Sequence, residues 1–298
     1  MPPTNNLPRA GLWPLAGAVL LFGGAVPVAK LAVEHGAGPA WFALGRAGFS
    51  AVVTAAALGA GGRLRRPRRA DLASLLAVGL LQLAAFFALV HLALALVPAG
   101  RTTVLSNATG VWTVPLSVLL GEKVSSRQWL AAALGLLGVV VLVGPWGADW
   151  SRPSFVLGNA LLLGAALSWA LAMVVIRRRP PRMSLLEMLP WTFGVATLAL
   201  LPLALARPIG RWDGTAWAAV LFIGLVAGPG GTWCVMQATR LLPMVVASTG
   251  FLAVPAAGLL LSTAWLGEAL TPDLLLGSAL ILGGVAAAAL HAARRRPA

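Results

Sequence analysis

Charge is scarce in this sequence. Only 10% of the 298 residues are Asp, Glu, Lys or Arg, against about a quarter in an average soluble domain. There are eight acids and just two lysines, Lys30 and Lys123. That shortage excludes a soluble enzyme and a disordered chain. A single cysteine, Cys234, excludes an internal disulfide and therefore a secreted disulfide scaffold. The three histidines, His35, His91 and His291, are dispersed, so neither a zinc nor a redox constellation is expected, and no cofactor. No long charged stretch interrupts the chain, which leaves no room for a sizeable domain outside a membrane.

What fills the chain is apolar. Residues of that kind make up 59% of it, and the mean hydropathy is +0.89. Ten apolar runs stand out, at 12–33, 40–61, 71–96, 99–120, 127–145, 155–176, 185–206, 215–239, 244–266 and 273–292. Each approaches the length of about 20 residues that a membrane-spanning helix needs. Lipid cannot satisfy free backbone groups, and the runs are too long for barrel strands. The expected fold class is therefore all-α integral membrane, with ten transmembrane helices. Arg9 is the only basic residue before the first run, and that run is longer than a signal-peptide core, so it reads as the first membrane helix.

The net charge of +14 would suggest nucleic acid in a soluble protein. Here the arginines lie between apolar runs, so no nucleic acid partner is expected. Placing the N-terminus in the cytoplasm puts sixteen cations inside. They are Arg9, the five arginines of 63–69, Lys123 and Arg127, the four arginines of 177–182, Arg240, and Arg294, Arg295 and Arg296. Four lie outside: Arg101, Arg152, Arg207 and Arg211. That bias predicts cytoplasmic termini, with 1–11 and 293–298 as tails. The inner Arg clusters would touch anionic lipid headgroups. An Arg-over-Lys, Ala-rich composition points to a bacterial inner membrane.

The chain also repeats. "LLGEKVSSRQWLAAALGLLGVVVLVG" at 119–144 matches "WLGEALTPDLLLGSALILGGVAAAAL" at 265–290 without a gap. Gly121–Glu122 pairs with Gly267–Glu268, and Gly138 with Gly284, at a constant offset of 146. Five helices separate the copies, and an odd number inverts the second. The expected domains are two inverted five-helix repeats, 12–145 and 155–292. Inverted repeats are a recurrent transporter design, with the substrate near the midplane where the halves meet.

Three segments carry a family resemblance: "LLFGGAVPVAK" at 20–30, "GPAWFALGRAGFSA" at 38–51 and the two Gly-Glu turns. In their order and spacing they resemble the EamA-type members of the drug/metabolite transporter superfamily. Phe22 stands where the family usually has Trp, and Thr109 where the second copy has Pro255. The resemblance implies a ten-helix bundle that moves small metabolites, commonly as an exporter.

Lys30 and Arg46 are the only charges well inside runs, and intramembrane charges mark function by default. Both lie toward the outer ends of their helices. They could draw a carboxylate, or snorkel to the surface with Glu34 helping Lys30. No acid lies near a span centre, which argues against carboxylate-relayed export of cations. Neutral or anionic solutes are expected. His91 and its repeat counterpart Gln237 could hydrogen-bond substrate, or simply bond a neighbouring carbonyl. Asn107 heads the polar stretch "TTVLSNATGVWTVP" in the fourth run, which could serve a cavity or interhelical hydrogen bonds. Trp112, Trp169 and Trp233 could wall a pocket or pack the core. Trp13, Trp41, Trp129, Trp146, Trp150, Trp212 and Trp217 read as the interfacial belt. Pro27, Pro115 and Pro255, and Gly228, Pro229 and Gly230 of "AGPGGTW", are candidate gates or helix breaks. Gly135, Gly138, Gly283 and Gly284 suit close helix packing, and leave a homodimer interface open.

The leading expectation is a secondary transporter, an exporter of amino acids or related neutral or anionic metabolites, working by alternating access. A broad exporter of hydrophobic drugs is the alternative. An intramembrane enzyme lacks a cluster of catalytic groups, and a receptor would not account for the repeat.

Overall fold

The computed structural model describes residues 9–122, 124–144 and 152–294. Lys123, Trp146, Trp150, Arg295 and Arg296, all given places above, lie outside that set, as do the side chains of Arg9, Arg127, Ser248, His291 and Arg294. Every regular element among the described residues is helical. Ten helical segments follow one another: α1 (Arg9–Glu34), α2 (Pro39–Ala60), α3 (Arg69–Leu94), α4, α5 (Ser126–Val143), α6 (Pro153–Arg178), α7 (Leu185–Leu205), α8 (Gly214–Leu241), α9 and α10 (Pro272–Arg294). Two of them are discontinuous. α4 consists of α4a (Ala99–Ser106) and α4b (Thr109–Leu119), and α9 of α9a (Met244–Gly250) and α9b (Ala253–Leu266). Six helices are individually long and apolar enough to cross a membrane: α1, α2, α3, α6, α7 and α8. The remaining four are shorter or broken, so the ten expected runs are ten helical segments of unequal reach.

Local chemistry sets the ends. Pro39, Pro153 and Pro272 open α2, α6 and α10, where a missing N–H costs nothing. Ser184 and Glu187 form a capping box at α7, and Asp213 caps α8 by accepting from the Ala216 N–H at 2.9 Å. Both Gly-Glu turns close on a left-handed glycine, Gly121 (φ 76°) and Gly267 (φ 66°), a conformation that favours residues without Cβ.

α2 packs along α7, α5 along α10, α3 along α6, and α1 lies against both α8 and α9b. The α5–α10 crossing is the most extensive. A Cβ on Gly138 would sit 2.7 Å from the Gly277 carbonyl oxygen, and one on Gly284 2.6 Å from that of Ala131. Small residues thus bring backbones together where apolar surface alone gives no drive, because lipid is equally apolar. Gly283 faces open space.

Candidate functional site

The broken helices frame the interior. In α4 the backbone N–H of Asn107 turns to Val104 O at 3.2 Å and that of Ala108 to Leu105 O at 3.1 Å. The tightened turn frees the Thr103 carbonyl, and the Asn107 side-chain amide donates to it at 2.7 Å. Asn107 therefore makes the break as well as lining it: its side chain competes with its own backbone. The equivalent turn in α9 runs through Phe251 and Leu252, with Pro255 in the first turn of α9b, where proline is tolerated. A cavity of about 140 Å³ lies between the two breaks. Val104, Asn107 and Thr109 of α4 line it, with Phe251, Leu252 and Pro255 of α9 and Ile281, Leu282 and Val285 of α10. Pro27 and Pro115 lie inside helices that run on past them.

The glycine-proline segment behaves differently from a simple gap. α8 widens to a π-helical stretch at Phe222–Ala227, just before Gly228, Pro229 and Gly230. The Gly228 N–H bonds Ile223 O, five residues back. In that register the Gly224 carbonyl would need an N–H from residue 229, which is proline. The Ser50 hydroxyl of α2 supplies it at 2.7 Å, buried. The carbonyl freed by Pro229 is thus spent on an interhelical tie. α3 has its own π-helical stretch at Ala77–Ala85. Gln82 within it is half-buried and has no hydrogen-bond partner among the described residues. This mid-span amide, in "LLQLAAFF", escaped the sequence reading.

Lys30 and Arg46 are not equivalent. Lys30 donates to the carbonyls of Leu94 at 2.8 Å and Val97 at 3.3 Å, and stands 3.7 Å from Glu34. It caps the end of α3. The Arg46 guanidinium lies 3.9 Å over the ring of Phe87. No acceptor or carboxylate pairs with it among the described residues. His91, fully buried, bonds the Phe87 carbonyl through Nδ1 at 2.6 Å, and its Nε2 has no partner among the described residues. Phe42 stacks near that imidazole, with ring centroids 5.4 Å apart. Trp169 meets Phe86 edge-on at 4.9 Å. The indole N–H of Trp112 is buried without a partner, Trp233 is exposed, and Gln237 is half-buried. The structure brings Arg46 and His91 together around Phe87, and Asn107 to the cavity. It leaves Lys30 at a helix end.

Glu268 caps a helix across the molecule. Its carboxylate accepts from the N–H groups of Ala99 at 2.6 Å and Gly100 at 2.8 Å, at the buried start of α4a. Nearby, Arg101, buried inside α4a, pairs with Asp273 at 3.0 Å and also donates to the Leu142 carbonyl. Gly258 of α9b packs on Thr103 of α4a. Glu122, the repeat counterpart of Glu268, is taken instead by Arg177 of α6. Arg177 first, then the Ser117 hydroxyl, hold the Glu122 carboxyl below its ordinary value.

This is a multi-pass membrane protein with no metal-ligating cluster among the described residues. The sequence profile of the EamA-like transporter family matches it twice, over residues 9–144 and 156–290. The chain belongs to that family, and is a transporter of small molecules. It is 27% identical over 276 residues to a probable terminal-alkyne amino-acid exporter of Streptantibioticus cattleyicolor, covering 92% of this chain and 91% of that one. It is 27% identical over 210 residues to a probable amino-acid metabolite efflux pump of Salmonella typhimurium, covering 63% and 66%. A shorter match, 28% over 113 residues, joins it to an S-adenosylmethionine uptake transporter of Rickettsia prowazekii, covering 38% and 37%. A crystal structure with a TM-score of 0.63 and 23% identity covers 98% of this chain and all of that one, and shares its fold.

Proposed function

We propose that this protein is a secondary transporter that exports small metabolites of the amino-acid class by alternating access. The two halves, 12–145 and 155–292, would be inverted repeats, and the solute would pass the breaks of α4 and α9. The pair of breaks around one cavity carries this reading, since irregular backbone inside a membrane persists only where it lines a cavity or is buried in protein. Other features support it. Exchanging α1–α5 with α6–α10 maps the α2–α7 and α5–α10 pairs onto themselves, and the α1–α8 pair onto α3–α6. The π-helical stretches fall in the third and eighth helices. Glu268 caps α4a while Glu122 is held by Arg177, so the two ends of the bundle differ, as one state of an alternating pair must.

With the termini in the cytoplasm of a bacterial inner membrane, the Glu268 end is the outer face and is the closed one. The Arg clusters would then sit at anionic headgroups. Three named relatives handle amino acids or their derivatives, two by export and one by uptake. The apolar cavity lining favours a second reading, export of hydrophobic drugs. Its volume of about 140 Å³ is below the roughly 300–1,000 Å³ of drug-sized pockets, which favours small metabolites.

A reversible lock tests the mechanism. A Cβ on Gly258 would lie 2.5 Å from Thr103 Cγ2, so a Thr103→Cys, Gly258→Cys pair is within disulfide reach. In a Cys234→Ser background, oxidation is expected to stop solute exchange in proteoliposomes and reductant to restore it. Unimpaired exchange by the fully cross-linked protein would rule alternating access out.

A further inference from the structure

We propose that Arg46 is the anchor for a carboxylate on the transported solute, with the Phe87–Phe86–Trp169 row as the apolar wall beside it. This deepens the transporter reading above and rests on it. Apart from Arg9 and Arg69, which open α1 and α3, three cations lie within helices α1 to α4, and two are spent. Lys30 holds two carbonyls at the end of α3. Arg101 holds Asp273 and the Leu142 carbonyl, and lies 4.8 Å over Phe155. Among the described residues, Arg46 has only the face of Phe87.

Arg46 lies about 10 Å below the start of α2 at 1.5 Å per residue, and is half-buried. A guanidinium carries five N–H donors in a planar fork that matches a carboxylate. Leaving such a group without an anion in a low-dielectric interior is costly, and a ring face returns only part of that cost. No protein carboxylate competes for it, because the described acids all stand at helix ends or in the links between helices. His91 does not supply one either. Its Nδ1–H donates to the Phe87 carbonyl, and an imidazole offers no negative charge. The site thus keeps a permanent cation and withholds its counter-ion, which an entering carboxylate would provide through two parallel hydrogen bonds.

The apolar wall follows from the rings. Phe87 lies under the guanidinium, Phe86 is 6.3 Å from Phe87 between centroids, and Trp169 is 4.9 Å from Phe86. Phe86 and Trp169 are both half-buried. A solute with a carboxylate at one end and an apolar or aromatic remainder matches this layout. An amide or alcohol of the same shape leaves the guanidinium unpaired.

The test uses the purified full chain and its Arg46→Met and Arg46→Lys variants in proteoliposomes. Counterflow of labelled L-phenylalanine and L-leucine is measured against the free acids and against their amides as unlabelled counter-solutes. The wild type is expected to exchange the acids about tenfold or more better than the amides, the scale of a charge-assisted pair. Arg46→Met should lose that preference, and Arg46→Lys should keep part of it, having charge but no fork. Melting of detergent-solubilised protein is the second readout. L-phenylalanine should raise the melting temperature of the wild type but not of Arg46→Met, while Arg46→Met alone should melt no lower than the wild type. A cation that merely props the fold would give a lower melting temperature instead. Wild-type exchange with an unchanged acid preference in Arg46→Met overturns the anchor and leaves the transporter reading standing. No exchange of any solute by the wild type overturns both.

Discussion

At the scale of single residues, the polar side chains inside the bundle divide into those that repair backbone and those left available. Ser50 repairs the carbonyl that Pro229 orphans, and Asn107 the one freed by its own break. Ser50→Ala is expected to leave Gly224 O buried and unpaired at a cost of about 1–3 kcal/mol, read as a lower melting temperature in detergent. An unchanged temperature would mean that the carbonyl finds another donor. Asn107→Ala should depress transport more than stability, because the same residue lines the cavity; equal exchange rates in the variant would place the solute path elsewhere. The division was not legible in the sequence. Lys30 and Arg46 look alike there, as single cations near the outer ends of neighbouring runs. What separates them is that the chain end at Leu94 and Val97 comes to Lys30 while no carbonyl comes to Arg46, a fact of packing between helices distant in sequence. Gln82 could have been found, since an amide in mid-run is as visible as Asn107.

At the scale of elements, hydropathy alone located ten helical segments, because each run has the length and the apolar content that a lipid-facing or buried helix requires. It did not locate the breaks. Proline suggested one at Pro115, yet α4b continues through it, as membrane helices can when neighbours satisfy the freed groups. The break lies at Asn107–Ala108, where a side-chain amide outcompetes the backbone. The Gly-Glu repeat was visible, but the capping of α4a by Glu268 was not, because it joins residues 168 and 169 positions apart. Packing of α5 on α10 gives the sharpest element-level prediction. Gly138→Leu would drive a side chain into the Gly277 backbone and Ile281, an overpacking cost of about 1–3 kcal/mol or more. Gly283→Leu meets open space and should leave melting nearly unchanged. Equal losses from both would mean that the α5–α10 contact contributes nothing particular to stability.

For the whole molecule, the charge distribution and the asymmetry of the two bundle ends make one claim about orientation. Single cysteines introduced at Arg63 and Arg207 in Cys234→Ser protein should react with an impermeant thiol reagent from opposite sides, Arg63→Cys from the cytoplasm and Arg207→Cys from outside. Labelling in the reverse sense would turn the Glu268 end toward the cytoplasm. Carrier-type movement of a small solute through the α4–α9 breaks is the central proposal for this molecule. Counterflow in proteoliposomes tests this most directly, with unlabelled amino acids, organic acids and hydrophobic amines preloaded in turn and labelled solute outside. Transient accumulation confined to amino or organic acids, and lost in Asn107→Ala, is the predicted result. Accumulation with hydrophobic amines alone, or none with any solute, would contradict it.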